Sequence, residues 1–137
     1  MIDLATVAVG DELPPLDIPL TRPDVVRYSG ASTDFNPIHY SDRAAQAIGL
    51  PGVVVHGMWT MGAALRVVTD WVGDPARVVN YFTRFVAPVA VPDDDQGTVV
   101  AVRARVSAVT DDRVTITIEA THGQDKLLGA AKAEVSR

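Results

Sequence analysis

The chain contains no cysteine among its 137 residues. This absence excludes disulfide bonds, thiolate metal ligands and a cysteine nucleophile. Basic residues are also few, with 12 Lys and Arg against 17 Asp and Glu, so the formal net charge is −5. Because phosphate binding needs a clustered basic face, this composition argues against nucleic acid as a partner.

Long apolar runs and targeting segments are missing as well. The most apolar stretch of helical length is interrupted by Arg66 and Asp70, so no membrane span is predicted. The first residues lack the basic and apolar regions of a signal peptide, and we therefore expect a cytoplasmic protein. With 47% apolar and 21% charged residues, the chain can bury a core, and we expect one compact domain over residues 1–137.

Capping residues and apolar spacing predict two short helices in the first half of the chain. The first covers residues 23–28 and follows Thr21 as its N-cap, with Pro23 at an early position. Residues 29–37 are rich in small polar side chains and end in proline, which predicts a loop of fixed shape. The second helix runs from its N-cap Ser41 to about Ile48.

A third helix over residues 58–72 is the most informative segment. Its apolar side chains cover nearly every face, which predicts a helix buried almost all round. Gly73 is suited to a left-handed C-terminal cap, and Pro75 beyond it cannot continue the helix.

Beyond this helix the apolar period changes to two, which indicates half-buried strands. The predicted strands cover residues 80–86, 100–107, 114–120 and 127–135, with hairpin turns at 110–112 and 122–125. One apolar helix followed by four consecutive antiparallel strands predicts an α+β hotdog fold, in which the sheet curls around the helix. The alternative, a helix lying flat on an open sheet, would require a more polar helix face.

Two histidines stand where the backbone is restricted. Asp34 and His39 lie five residues apart across the turn at Pro37, a spacing that can hold two proton-transfer groups near one molecule. The structural alternative is that Asp34 and Asn36 only form the turn and that His39 packs beside the next helix.

His56 and Gly57 mark the entry to the apolar helix. Unpaired N–H groups at a helix start can stabilise an oxyanion, and glycine lets a carbonyl approach closely. Alternatively, Gly57 eases a sharp entry into the helix and His56 is a buried structural histidine. The chain has no metal-ligand spacing, phosphate-binding loop, dinucleotide motif or serine-nucleophile elbow, so neither a metal nor a cofactor is expected.

The stretch 28–39, with Ala45 and residues 55–58, resembles the MaoC-like family of (R)-specific enoyl-thioester hydratases and dehydratases. Residues 71–75 and 84–85 add a similarity to the B subunits of actinobacterial (3R)-hydroxyacyl-ACP dehydratases. The similarity covers essentially the whole chain and implies a hotdog fold. In the family motif a glycine normally precedes the aspartate, whereas this chain has threonine at position 33.

The resemblance also implies a reaction and a set of roles. The expected reaction is reversible addition of water to a trans-2-enoyl-CoA or trans-2-enoyl-ACP, run as a dehydration in fatty-acid elongation of the mycolic-acid type. Asp34 and His39 are expected to activate the water and exchange the protons, and the Gly57 N–H to bind the thioester oxygen. Asn36 and His56 are expected to support the site.

The resemblance leaves the assembly and two other functions open. A homodimer, or a heterodimer with a second hotdog subunit, is expected. One alternative is a non-catalytic subunit that binds acyl thioesters within a heterodimeric dehydratase. A thioesterase is a second alternative, for which the only acid within the apolar helix is Asp70.

Overall fold

The computed structural model describes residues 2–137, whose strands form one antiparallel sheet. The six strands are β1 (Leu16–Leu20), β2 (Val78–Phe85), β3 (Thr98–Val109), β4 (Arg113–His122), β5 (Asp125–Lys126) and β6 (Leu128–Ser136). The order across the sheet is β1-β3-β4-β6-β2, and the short strand β5 also pairs with β4. Bulges in the β2–β6 and β3–β4 ladders help the sheet to curve.

Three helices complete the fold: α1 (Arg22–Ser32), α2 (Asp42–Ala47) and α3 (Gly57–Val72). The sheet covers one face of α3, whose buried side chains are Thr60, Ala64, Val67, Val68 and Val72. An antiparallel sheet curled around a central helix is the hotdog fold, so the predicted fold class is confirmed. Within residues 2–137, no helix has the length and apolarity needed to cross a membrane.

The helix caps agree with the sequence, but α1 is longer than predicted. Ser41 caps α2 through its hydroxyl, which accepts from the Ala44 N–H, and Gly73 ends α3 in a left-handed conformation. Helix α1 continues through residues 29–32, which were predicted as loop. Burial of Ser29 on the same side as Val25 extends the helix, because tertiary packing overrides the weak helical preference of the Ser and Gly residues there.

The strand order corrects the prediction of four consecutive antiparallel strands. Only β3, β4 and β6 follow one another as neighbours, while β2 lies beside β6 at the far edge. Strand β1, beside β3, was not predicted because Pro19 interrupts its pattern. Proline is tolerated there because β1 is an edge strand.

The prediction that the third helix is buried almost all round is wrong for the single chain. The residues at positions 58, 62, 66 and 70 form an exposed stripe with helical spacing of four. Arg66 and Asp70 form an ion pair on this stripe at 3.5 Å, while Met58 is 58% exposed at its other end. The stripe carries one large apolar side chain, Met58, and ends in a charged pair, so α3 turns a mostly polar stripe to the outside.

Candidate active site

The end of α1 sets the position of the Asp34 carboxylate. The helix ends at Thr33, whose φ of 58° and ψ of 20° reverse the chain direction. Asp34 Oδ1 then accepts a hydrogen bond from the Asn36 N–H at 3.2 Å, and Asn36 Oδ1 accepts from the Ile38 N–H at 3.2 Å. These two Asx turns give the loop between α1 and the following 3-10 turn a defined shape.

His39 ends that 3-10 turn and is almost completely buried, at 7% exposure. Its Nδ1 lies 2.7 Å from the carbonyl oxygen of Val54. Because a carbonyl oxygen only accepts, Nδ1 carries a hydrogen and donates it. In the neutral ring, Nε2 then offers its lone pair, and this atom lies 3.8 Å from Asp34 Oδ2.

His56 connects the same loop to the start of α3. Its Nε2 donates to the backbone oxygen of Asp34 at 3.0 Å, with Ser29 Oγ at 3.4 Å. The His56 ring stacks on His39 with centroids 3.6 Å apart and planes tilted by 20°. Among residues 2–137, its buried Nδ1 has no hydrogen-bond partner. The His56 side chain therefore contacts both the Asp34 backbone and the His39 ring.

Gly57 is the first residue of α3, where backbone N–H groups have no partner within the helix. The partial positive charge of the helix start is therefore available to an anionic or developing negative oxygen. A Cβ at Gly57 would lie 3.2–3.3 Å from the ring atoms of Phe85. Glycine thus lets the Phe85 ring pack directly on the helix start.

The geometry of the two imidazoles disfavours a metal ion, although Asp34, His39 and His56 bring possible ligand atoms within 4.8 Å of one another. A histidine binds a metal along the lone pair in its ring plane. Because the two rings stack in nearly parallel planes 3.6 Å apart, one ion bonded at about 2.0–2.1 Å does not lie in both planes. The cluster fits proton exchange better than metal binding.

The structure brings together most of the residues that the sequence predicts for the site. The side chains of Asp34, His39 and His56 meet beside the start of α3, while Asn36 lies in the loop that shapes Asp34. Sequence reasoning from spacing did not single out Ser29 or Phe85, and their only signal was their position within the segments that carry the MaoC-like resemblance.

Asp70 does not belong to this site. Its side chain is 57% exposed and pairs with Arg66 near the C-terminal end of α3. The thioesterase alternative expects a catalytic carboxylate on or near the central helix. The position of Asp70 is at the wrong end of α3 for that role.

The chain thus combines a hotdog fold with an aspartate and two stacked histidines beside the start of α3. The profile of the MaoC-like domain matches residues 6–124, and the chain belongs to this family. A solved structure of a MaoC-like dehydratase is 34% identical in sequence and superposes with a TM-score of 0.91. The match covers 96% of this chain and 41% of that chain.

Two curated relatives carry the same region within larger proteins. The fatty acid synthase subunit beta of Aspergillus oryzae is 34% identical over 118 residues, which are 83% of this chain and 6% of that protein. The 3-hydroxyacyl-thioester dehydratase X of Mycobacterium tuberculosis is 37% identical over 73 residues, or 53% of this chain and 25% of that protein. This chain therefore spans a quarter or less of either relative.

A likeness of fold extends to a two-component complex. The HadBC complex of Mycobacterium tuberculosis, described as a (3R)-hydroxyacyl-ACP dehydratase, has a TM-score of 0.75 at 18% identity. The match covers 98% of this chain and 100% of that chain. At this identity the likeness shows the shared fold.

Proposed function

We propose that this chain catalyses reversible addition of water to a trans-2-enoyl thioester, giving the (3R)-3-hydroxyacyl thioester. The observation that carries the proposal is the pair Asp34 Oδ2 and His39 Nε2, 3.8 Å apart, next to a helix start formed by Gly57. Membership of the MaoC-like family and the dehydratase name of a relative support this reaction class. The carrier of the acyl group is CoA or acyl carrier protein.

The spacing of the pair fits one water molecule. An oxygen with hydrogen bonds of about 2.8 Å to both groups fits beside two atoms that are 3.8 Å apart. In the hydration direction, the pair removes a proton from this water as its oxygen bonds to C3. The pair then supplies a proton to C2, so that no net proton is consumed. Each such group contributes about 10²- to 10⁴-fold in rate.

The hydrogen bond from His39 to Val54 limits how His39 takes part. Because Nδ1 already donates to the carbonyl oxygen, Nε2 is the atom that exchanges a proton with water or substrate. The Asp34 side chain is 52% exposed, whereas that of His39 is 8% exposed. Substrate therefore approaches from the side of the Asp34 carboxylate.

The Gly57 N–H stabilises the intermediate charge in this mechanism. Addition at C3 pushes electrons onto the thioester oxygen, which gains negative charge as an enolate. A donor at the start of α3 binds that oxygen more strongly as the charge grows, an effect of about 10²- to 10³-fold in rate for one donor. Asn36 maintains the loop, and His56 holds the Asp34 backbone oxygen.

A second hotdog subunit is the partner that we propose. Strand β2 ends the sheet and carries the exposed side chains of Phe82 and Phe85, while Met58 is exposed beside it on α3. An open sheet edge next to exposed aromatic rings is suited to continuing the sheet into another subunit. The partner is a second copy of this chain or a related subunit, and the acyl chain lies at or beside this interface.

The test follows the loss of the ultraviolet absorbance of the conjugated enoyl thioester when protein is added to trans-2-enoyl-CoA. Wild type is compared with folded Asp34→Asn and His39→Ala variants. His122→Ala is the matched control, because this third histidine lies on β4 and contacts Thr98 Oγ1 at 2.6 Å. We expect hydration by wild type and His122→Ala, with loss of at least about 10²-fold in either site variant.

The same assay separates the alternatives. Release of free thiol without a 3-hydroxyacyl product identifies a thioesterase instead. If the chain alone is inert, the assay is repeated after co-expression with a second hotdog subunit. Inactivity of that complex toward CoA and ACP substrates contradicts the proposal and favours a non-catalytic acyl-thioester-binding subunit.

A further inference from the structure

A partly buried ion pair between Arg22 and Asp42 lies outside the candidate site. It contacts the segment whose Val54 carbonyl oxygen accepts from His39. Asp42 is the first residue of α2, and its Oδ1 accepts hydrogen bonds from Arg22 Nη2 and the Val53 N–H, both at 2.8 Å. Arg22, at the start of α1, also donates from Nε to the backbone oxygen of Val91 at 2.5 Å. One carboxylate and one guanidinium thus join four segments of the chain.

The segment that this pair holds is the extended strip formed by residues 53–55. One side of the strip is fixed by backbone hydrogen bonds to residues 89–91, from the Val91 N–H to the Val53 oxygen at 2.9 Å and from the Val55 N–H to the Val89 oxygen at 3.0 Å. On the other side the Val54 N–H donates to the Ile38 oxygen at 3.1 Å. The Val54 carbonyl oxygen in the middle of the strip accepts from His39 Nδ1 at 2.7 Å. The Val54 carbonyl oxygen, which fixes the tautomer of His39, therefore belongs to the same strip as the Val53 N–H that donates to Asp42.

Gly52 shows that the position of the carboxylate is specific. A Cβ at this residue would lie 2.8 Å from Asp42 Oδ1, which is closer than real Cβ contacts allow. A side chain at position 52 would therefore displace the carboxylate from the Val53 N–H. The absence of a side chain at this position is what allows the carboxylate to reach the strip.

The carboxylate is held in its charged form. The hydrogen bond from the Val53 N–H and the neighbouring Arg22 guanidinium keep the pKa of Asp42 below its usual range. The Arg22 side chain is only 19% exposed, and that of Asp42 is 44% exposed. A charge-assisted hydrogen bond to a backbone N–H is stronger than a neutral one, so it restrains the strip more firmly.

We infer that Asp42, oriented by Arg22, is a positioning residue for His39. Through residues 53 and 54 it holds the Val54 carbonyl oxygen where it accepts from Nδ1, which leaves Nε2 free to face Asp34. The inference rests on the proposed function for its effect on rate. Its structural part, the tautomer of His39, stands independently of any activity.

The test measures the tautomer directly by long-range proton–nitrogen NMR correlation of the imidazole nitrogens. We expect the Nδ1–H form of His39 in wild type and a mixture of both tautomers in Asp42→Ala. Asp24→Ala is the matched control, because the Asp24 carboxylate also pairs with an arginine of α1, Arg27, at 2.9 Å, but accepts its hydrogen bonds from Thr21 and Arg27. The control is expected to keep the wild-type tautomer.

A second variant covers the case in which Asp42→Ala does not fold. Gly52→Ala removes no charged group and displaces the Asp42 carboxylate from the Val53 N–H, so it is expected to give the same mixture of tautomers. In the hydration assay, either folded variant is expected to lower kcat by about 10-fold with little change in KM, while Asp24→Ala keeps both values.

The outcomes separate the two claims. An unchanged His39 tautomer in a folded Asp42→Ala or Gly52→Ala variant overturns the positioning role. A changed tautomer in a folded Asp42→Ala or Gly52→Ala variant supports the positioning role, and if neither wild type nor its complex with a second hotdog subunit hydrates an enoyl thioester, the proposed function alone is contradicted. A loss of kcat without a change of tautomer also counts against the inference, because the effect then does not pass through His39.

Discussion

Among single residues, Thr33 has the most unusual backbone in relation to the site. Its φ of 58° lies in the left-handed region, which a branched side chain adopts at a cost of about 1–2 kcal/mol. The conformation ends α1 and turns the chain so that the Asp34 backbone oxygen reaches His56 Nε2. The threonine that replaces the glycine expected for the family motif therefore keeps the turn at some cost in stability.

Replacing Thr33 with glycine should stabilise the protein. Glycine removes the strain but adds about 0.4–1 kcal/mol of conformational entropy to the unfolded chain, so we expect a net gain of about 0.5–1 kcal/mol. Urea unfolding measures this change. Ala130→Gly is the positive control, because Ala130 also has a positive φ, of 50°, on β6, so the same strain argument predicts a gain there. A lower free energy of unfolding for Thr33→Gly would contradict this account.

The sequence predicts the site residues only as far as local geometry allows. The turn between Asp34 and His39 is short and contains Pro37, so their proximity follows from the sequence. The stacking of His39 on His56 and the contact between Gly57 and Phe85 join distant segments. Nothing in the spacing of these residues specifies such contacts, because they depend on how the sheet closes around α3.

At the scale of elements, caps and periodicity predict α2, α3 and the hairpins of β3, β4 and β6. These features depend on neighbours in sequence. The extension of α1, the pairing of β2 with β6 and the addition of β1 depend on tertiary contacts. Long-range pairing has no local signal, which is why the predicted order of the strands was wrong.

A substitution at Gly57, the first residue of α3, tests whether this residue affects the hydration rate separately from the stability of the helix. Gly57→Ala places a methyl group against the Phe85 ring, which is 56% exposed and has room to shift. We expect a folded protein whose hydration rate falls by about 10²-fold, because the methyl group blocks approach to the N–H. Steady-state rates and thermal unfolding measure the two effects.

Gly62→Ala is the control within the same helix. A Cβ at Gly62 meets nothing within 4 Å, so alanine should raise the free energy of unfolding by about 1 kcal/mol and leave the rate unchanged. Equal rate losses in the two variants would show that the effect of Gly57→Ala is a general effect of altering the helix.

The contact between β2 and α3 should be sensitive to high pH. The Tyr81 hydroxyl donates to the Met61 backbone oxygen at 2.9 Å, and burial raises the pKa of Tyr81 to about 12. Because the folded state holds this proton more tightly than the unfolded state, the stabilisation is complete below about pH 10. It is lost as the pH rises from there through about 12.

Tyr81→Phe tests this linkage. We expect the free energy of unfolding of wild type to fall relative to that of the variant between about pH 10 and pH 12. The difference between their tyrosinate absorbance titrations should have a midpoint near pH 12. A midpoint near the ordinary tyrosine pKa would mean that Tyr81 is not shielded in solution.

For the whole molecule, the second hotdog subunit that we propose would cover the edge strand β2 and its exposed aromatic side chains. We expect Phe82→Glu to weaken association with a second hotdog subunit, because it places a charge on an apolar edge. Val26→Glu is the control, since Val26 is 62% exposed on α1, away from β2. Light scattering after size-exclusion chromatography measures the assembly, and equal behaviour of both variants would contradict this interface.

A double-mutant cycle tests whether Asp34 and His39 act together on one water molecule. The measurement is kcat/KM for hydration of a trans-2-enoyl thioester by wild type, Asp34→Asn, His39→Ala and the double variant, with the partner subunit if one is required. We expect the double variant to be about as slow as the slower single variant, because residues that act as a unit are strongly non-additive. Losses that multiply would contradict a shared water, and wild-type rates in either single variant would contradict the assignment of the site.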